Sequence, residues 1–206
     1  MRKLAFVSVL CAGAIAAQAA VIWDQGPAGG TYAGSWSQTT DSQELVDSFM
    51  FTQDMLVTDY HFFSNFNPPG GNSWEIAIYA DAGGSPGAEL FEFSDTYDSY
   101  TFWGNQSGVD LYQATFTFAP ILLSGNVKYW IGASGNGFES AVVSSFGSAQ
   151  GDGFLAFRSN STGSWNVINS IGDVTFQLTG EPVPEPASMI ALGVGAIALL
   201  RRRNRK

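Results

Sequence analysis

Along much of the chain apolar and polar residues alternate with a period of two. Val174, Phe176 and Leu178 are interleaved with Thr175, Gln177 and Thr179, and Phe116 and Phe118 with Thr115 and Thr117. Trp74, Ile76 and Ile78 are interleaved with Glu75, Ala77 and Tyr79; Phe91 and Phe93 flank Glu92, and Phe49 and Phe51 make a shorter pair. Alternation of this kind predicts β-strands, and the aromatic and β-branched residues that dominate it suit a pleated, half-buried surface. Between these runs lie Asn67-Pro68-Pro69-Gly70-Gly71-Asn72, Asp81 to Gly87, and Ser124-Gly125-Asn126. Glycine there supplies positive φ and proline a fixed φ, so each segment is a turn signal. Many short strands separated by turns predict an all-β fold, a single antiparallel β-sandwich of jelly-roll-like form over residues 21–180. Each sheet is expected to have one dry and one wet face.

The two ends break the pattern. Met1-Arg2-Lys3 supplies a positive n-region, Leu4 to Ala16 an apolar h-region, and Ala17-Gln18-Ala19 a small-x-small cleavage site, so residues 1–20 read as a signal peptide with the mature chain starting at Ala20 or Val21. At the other end, residues 181–206 combine a Pro-rich linker, the uncharged run Ala187 to Leu200, and a basic end that includes Arg201, Arg202 and Arg203. Proline lacks the ladder donor, so the stretch from Gly180 to Pro186 is expected to lie outside the last strand. As a helix, Ala187 to Leu200 would reach about 21 Å, short of a typical ~30 Å hydrocarbon core, which suits brief retention better than a permanent anchor. Positive charge behind it would stay cytoplasmic and leave the rest of the chain outside.

Charge sharpens the division. Lys128 and Arg158 are the only basic residues between Val21 and Pro186, and all 18 acidic residues of the 206-residue chain fall in that interval. Such a surface repels phosphate backbones and excludes nucleic-acid binding. It suits solubility, and it leaves calcium open as a bound cation, although no Asp-x-Asp-x-Asp-Gly loop is present. The only cysteine, Cys11, lies in the h-region, so the mature chain is expected to have neither a disulfide nor a thiol nucleophile.

Val183-Pro184-Glu185-Pro186, its Ala187-Ser188 continuation, the apolar run and the Arg-rich end together resemble the PEP-CTERM sorting signal. That signal occurs in exported proteins of Gram-negative bacteria that make exopolysaccharide. The resemblance implies an exosortase as processing partner, cleavage near Pro184-Glu185-Pro186, transient anchoring in the inner membrane, and delivery to the cell surface or extracellular matrix. The remainder is similar, in the order of Phe49-Met50-Phe51, Trp74 to Tyr79, Gly84-Ser85-Pro86-Gly87, Gly125 to Ile131 and Phe176 to Gly180, to the non-catalytic β-sandwich domains that anchored proteins carry.

Catalytic chemistry is sparse. His61 is the only histidine, and no Gly-x-Ser-x-Gly elbow accompanies it, so a Ser-His-Asp hydrolase is disfavoured; one histidine without mature cysteines cannot build a usual zinc site. Paired carboxylates of a glycoside hydrolase would have to come from Glu75, Glu89, Glu92 or Glu139. Trp36, Tyr100, Trp103 and Trp165 lie in Gly/Ser-rich surroundings and are candidates for stacking on sugars, whereas Trp74 and Trp130 read as core. The sequence therefore points to a non-enzymatic structural or adhesive surface protein associated with exopolysaccharide. A calcium-assisted carbohydrate-binding module is the alternative, and a secreted carboxylate-dependent glycosidase a third reading.

Overall fold

A computed structural model describes residues 19–26, 31–38, 44–65, 73–135, 140–146, 150–159, 163–169 and 172–184, with backbone alone for 31–38 and 140–146. The h-region, Ala17, the Asn67 to Asn72 turn, Glu139, Glu185, Pro186 and the apolar and Arg-rich parts of the tail lie outside the described residues. In chain order the strands are β1 (Ala20–Asp24), β2 (Thr31–Gln38), β3 (Glu44–Met50), β4 (Met55–Ser64), β5 (Trp74–Asp81), β6 (Pro86–Asp95), β7 (Ser99–Gln106), β8 (Val109–Leu123), β9 (Lys128–Gly135), β10 (Ser140–Phe146), β11 (Leu155–Arg158), β12 (Asn166–Ile168), β13 (Asp173–Val174) and β14 (Phe176–Pro182). The described residues contain no helix.

Pairing is antiparallel throughout. A five-stranded sheet runs β1-β14-β4-β8-β7, a six-stranded sheet β12-β11-β3-β9-β5-β6, and a small third sheet β13-β10-β2. The inner faces of the two large sheets share one core. Leu45 and Phe49 of β3, Trp74, Ile76 and Ile78 of β5 and Ile131 of β9 meet Tyr60 and Phe62 of β4, Phe116 of β8 and Phe176 and Leu178 of β14. Phe62 bridges the layers, its ring 4.5 Å from that of Trp74 and stacked at 5.8 Å on Phe116. Burying an aromatic side chain of this size contributes about 1.5–3 kcal/mol, so period-two placement of rings is what joins the sheets.

The expected wet outer face holds for part of the five-stranded sheet, where His61, Thr115, Thr117, Gln177 and Thr179 remain partly or fully exposed, while Phe63 and Leu111 form a small buried cluster on the same face. The six-stranded sheet differs. Val46, Ala77, Tyr79, Trp130 and Ala156 are buried in a second cluster, against which Trp165 packs. Trp130 is therefore buried as expected, but in this second cluster rather than between the sheets. Its Nε1 donates to Asp81 Oδ1 at 2.8 Å.

Turn chemistry behaves as read. Gly83 and Gly84 take φ of 74° and 92°, and both N–H groups donate to the Asp81 carboxylate. The last strand runs further than expected: Glu181 pairs with Leu56 and Pro182 with Met55. Proline forfeits only its own donor, and a terminal position of a strand tolerates that loss.

Close backbone approach makes one glycine critical. A Cβ at Gly132 would overlap the Leu45 carbonyl oxygen and Val46 Cγ1, whereas nothing lies within 4 Å of one built at Gly104. Gly132→Ala should therefore cost about 3 kcal/mol in a urea titration and Gly104→Ala less than about 1 kcal/mol. Equal midpoints for the two variants would refute the approach of β3 to β9 described here.

Candidate functional site

The last strand and the segment after it form the first candidate. β14 lies between β1 and β4, with Ala20 opposite Gly180 and Pro182 opposite Met55. Val183 N then donates to the Asp54 carbonyl at 3.0 Å, and Pro184 is exposed. The chain thus leaves the sheet at Pro184, where a proline without an N–H cannot extend the ladder. An exposed residue just past a strand end is where a protease gains access to a chain. Residues 182–206 match the family model of the PEP-CTERM protein-sorting motif. The chain carries a PEP-CTERM sorting tail. The PEP-CTERM motif marks an exported protein that reaches the cell surface by way of the membrane and is processed by an exosortase. No curated protein matches the chain. Of the expected sorting residues, Val183 and Pro184 are seen directly after β14, while Glu185, Pro186 and Arg201 to Arg203 lie outside the described residues, as does Ala17 of the leader site; Ala19 is exposed just before β1.

A second grouping was not foreseen from the sequence. Asp47 of β3, Asp152 and Asp173 of β13 each place a carboxylate oxygen within 4.8 Å of the others. Asp47 and Asp173 are buried and Asp152 exposed. Asp47 accepts from Ser48 N and Val174 N, both at 2.6 Å, and Asp173 from Gly153 N at 2.6 Å. Asp152 accepts from Lys128 Nζ and Ser48 Oγ, each at 2.9 Å, and from Phe154 N at 3.1 Å. An all-oxygen donor set is what calcium takes. Here backbone N–H groups, a hydroxyl and one ammonium already engage these oxygens, so the trio stands as a hydrogen-bonded network with Lys128 as its counter-charge. Burial, and then repulsion from Asp173, hold the Asp47 carboxyl well above the usual range despite its backbone hydrogen bonds.

His61 lies on the outer face of the five-stranded sheet, its Nδ1 2.9 Å from Thr115 Oγ1. Burial lowers its pKa, with Asp59 partly opposing, so the imidazole is neutral near pH 7. Neighbouring Asp59 accepts from Thr58, Thr117 and Thr179; burial alone would raise its pKa, but these bonds outweigh it and hold it low. The polar partner of the histidine ring is thus a cross-strand threonine.

Stacking candidates fall on separate surfaces. Trp36 lies on β2 opposite Val142 in the third sheet. Trp103 packs edge-on against Phe63, their centroids 5.5 Å apart, on the outer face of the five-stranded sheet. Trp165 packs against Tyr79 on the outer side of the six-stranded sheet, with the Arg158 guanidinium 4.5 Å from its ring centre. Tyr100 belongs to an aromatic strip with Tyr97 at 5.2 Å and Tyr112 stacked at 5.5 Å; Phe102 meets Tyr112 edge-on. The strip was only partly legible: Tyr97, Phe102 and Tyr112 join Tyr100 through the register of β7 on β8.

Carboxylates also gather around Arg158. Glu44 takes the guanidinium and the Tyr79 hydroxyl, forming a buried ion pair. Glu75 and Glu89 are raised above the ordinary range, by burial first and then by repulsion from Glu92. In the register Glu92 on β6 is opposite Ala77 and is thus a diagonal neighbour of Glu75 on β5.

The raised Asp47 has a measurable consequence. Its folded pKa exceeds the unfolded value near 4, so the folded state binds this proton more tightly and its ionisation penalty is relieved as pH falls. Wild type should therefore gain stability relative to Asp47→Asn as pH is lowered from about 8 toward about 4. Comparing the two proteins cancels His61 and Asp59, whose depressed pKa values act in the opposite sense. A difference in urea midpoints that stays constant over this range would contradict the assignment.

Proposed function

We propose that this chain is a non-enzymatic surface or matrix protein with a structural or adhesive role in exopolysaccharide. The leader of residues 1–20 directs export, the apolar run Ala187 to Leu200 holds the chain briefly in the inner membrane, and an exosortase then releases the sandwich outside. The observation that carries this reading is the PEP-CTERM motif beginning at residue 182, at the end of the last strand. A sheet that ends where the motif begins lets the tail be removed without disturbing the core. Mass measurement of extracellular protein should find a chain that starts at Ala20 or Val21 and lacks Arg201 to Lys206. An intact basic end in that material would overturn the processing model.

One observation favours carbohydrate binding as a second reading. Tyr97, Tyr100, Phe102 and Tyr112 form a continuous run of rings, and Phe102 is 60% exposed at its end. Rings presented in sequence suit the apolar faces of successive sugar units. Binding of the purified domain to the polysaccharide of its host, followed by affinity electrophoresis, should weaken about tenfold in Phe102→Ala, a change of ~1.4 kcal/mol. Retention unaffected by this substitution, or absent from the start, would remove the reading.

A further inference from the structure

We infer that the pole of the sandwich from which both chain ends depart is the surface on which the membrane-embedded processing protease seats. This rests on the exosortase reading above and adds to it a substrate surface outside the sorting motif.

The register places the pole. β1 starts with Ala20 opposite Gly180, so its first residue lies at the end where β14 finishes. The same end holds the turn from Phe51 to Asp54, which binds Val183 N and Asn126 N through main-chain carbonyls, and the turn from Ser124 to Val127. The start of β1 and the end of β14 therefore lie side by side at this pole.

Reach makes contact unavoidable. Val183 to Pro186, fully extended, spans at most about 14 Å at ~3.3–3.6 Å per residue. A catalytic body of only ~100 residues already has a radius of gyration near 13 Å. An enzyme that holds Pro184-Glu185-Pro186 in its cleft must therefore touch the pole beside it.

The pole has the composition of an interface. Four of the eight large apolar side chains exposed among the described residues are here: Val21 (53%), Met50 (49%), Leu122 (59%) and Val127 (42%). In the five-stranded sheet Leu122 is opposite Leu56, which pairs with Glu181, and in the six-stranded sheet Met50 is opposite Lys128 at the same end of the sandwich. A cleft of about 200 Å³ beside Met50 has Ile22, Trp23, Phe51 and Met55 as its apolar wall and Thr52, Gln53 and Gln150 as its polar one. Asp54 and Glu181 lie at this end, and among the described residues the nearby cation, Lys128, is paired with Asp152. An apolar centre with a charged rim is the anatomy of a protein interface. The acidic rim disfavours an anionic leaflet, which attracts basic segments, and so favours a protein over lipid as occupant.

The test follows loss of the C-terminal tail in the full chain produced together with the exosortase of its host. Leu122→Asp and Val127→Asp change exposed residues, and an unchanged melting temperature would confirm that each folds. Both should slow tail removal by about tenfold or more, because a charge placed in an interface centre costs binding, while Leu90→Asp on the edge strand β6, also an exposed position, should leave the rate unchanged. Inserting a flexible twelve-residue Gly/Ser segment between Pro182 and Val183, about 20 Å of root-mean-square reach, should free the enzyme from the pole and abolish the effect of the Asp substitutions. Wild-type rates for both Asp variants in the native-length chain would overturn the inference, as would a slowing that persists after the insertion. If the variants instead lose flotation with phosphatidylethanolamine/phosphatidylglycerol vesicles while tail removal is unaffected, the pole serves lipid and the inference fails. A wild-type chain that never loses its tail would refute the exosortase reading itself, a result distinct from all of these.

Discussion

Everything in the five-stranded sheet depends on β14 lying between β1 and β4. The last strand of the domain is an interior strand, and it pairs on one side with the first. Neither β1 nor β4 can complete its ladder until residues 176–182 are in place. Phe176 and Leu178, fully buried on β14, also supply the core with rings and methyls that no other strand replaces. Such long-range pairing delays folding until the chain is almost complete, since loop closure must precede the contacts that reward it. It also draws the two ends of the domain to one pole, just where the sorting tail begins.

The two large sheets use their outer faces differently. On the five-stranded sheet, Asp59, His61 and the threonines of β8 and β14 bond to one another across the strands and stay near water. On the six-stranded sheet, Tyr79, Trp130 and Trp165 form a second apolar layer, closed by the ion pair of Arg158 with Glu44. Breaking that pair from either side would strand a charge in a site with little access to water.

Both basic residues of the acidic domain are committed in the same way. Lys128 reaches Asp152 while lying 5.1 Å from the Trp130 ring centre; Arg158 holds Glu44 and lies over Tyr79 and Trp165. Each cation joins a carboxylate to an aromatic ring, and in a domain so short of positive charge each neutralises a local concentration of acid. Asp47 marks the limit of that scheme. Buried beside Asp173, it accepts from backbone N–H groups, and Lys128 reaches the trio only through Asp152.

Period-two alternation was enough to establish an all-β fold for the described residues and most of their inner-facing side chains, because burial of one strand face is a local property. The Pro-Glu-Pro tail was legible for a related reason: a protease reads it as a linear segment, so its chemistry is complete in the sequence. What lay beyond the sequence depended on register. The second layer under Trp165 exists because β11 and β12 join β3 at the sheet edge; no periodicity in Val46, Ala77 or Trp130 announces it. The grouping of Asp47 with Asp152 and Asp173 joins residues more than a hundred positions away from Asp47, and the meeting of the first and last strands at one pole depends on Ala20 facing Gly180. Alternation specifies which side of a strand is dry, but only tertiary pairing decides which strands are neighbours, and with that which side chains share a surface.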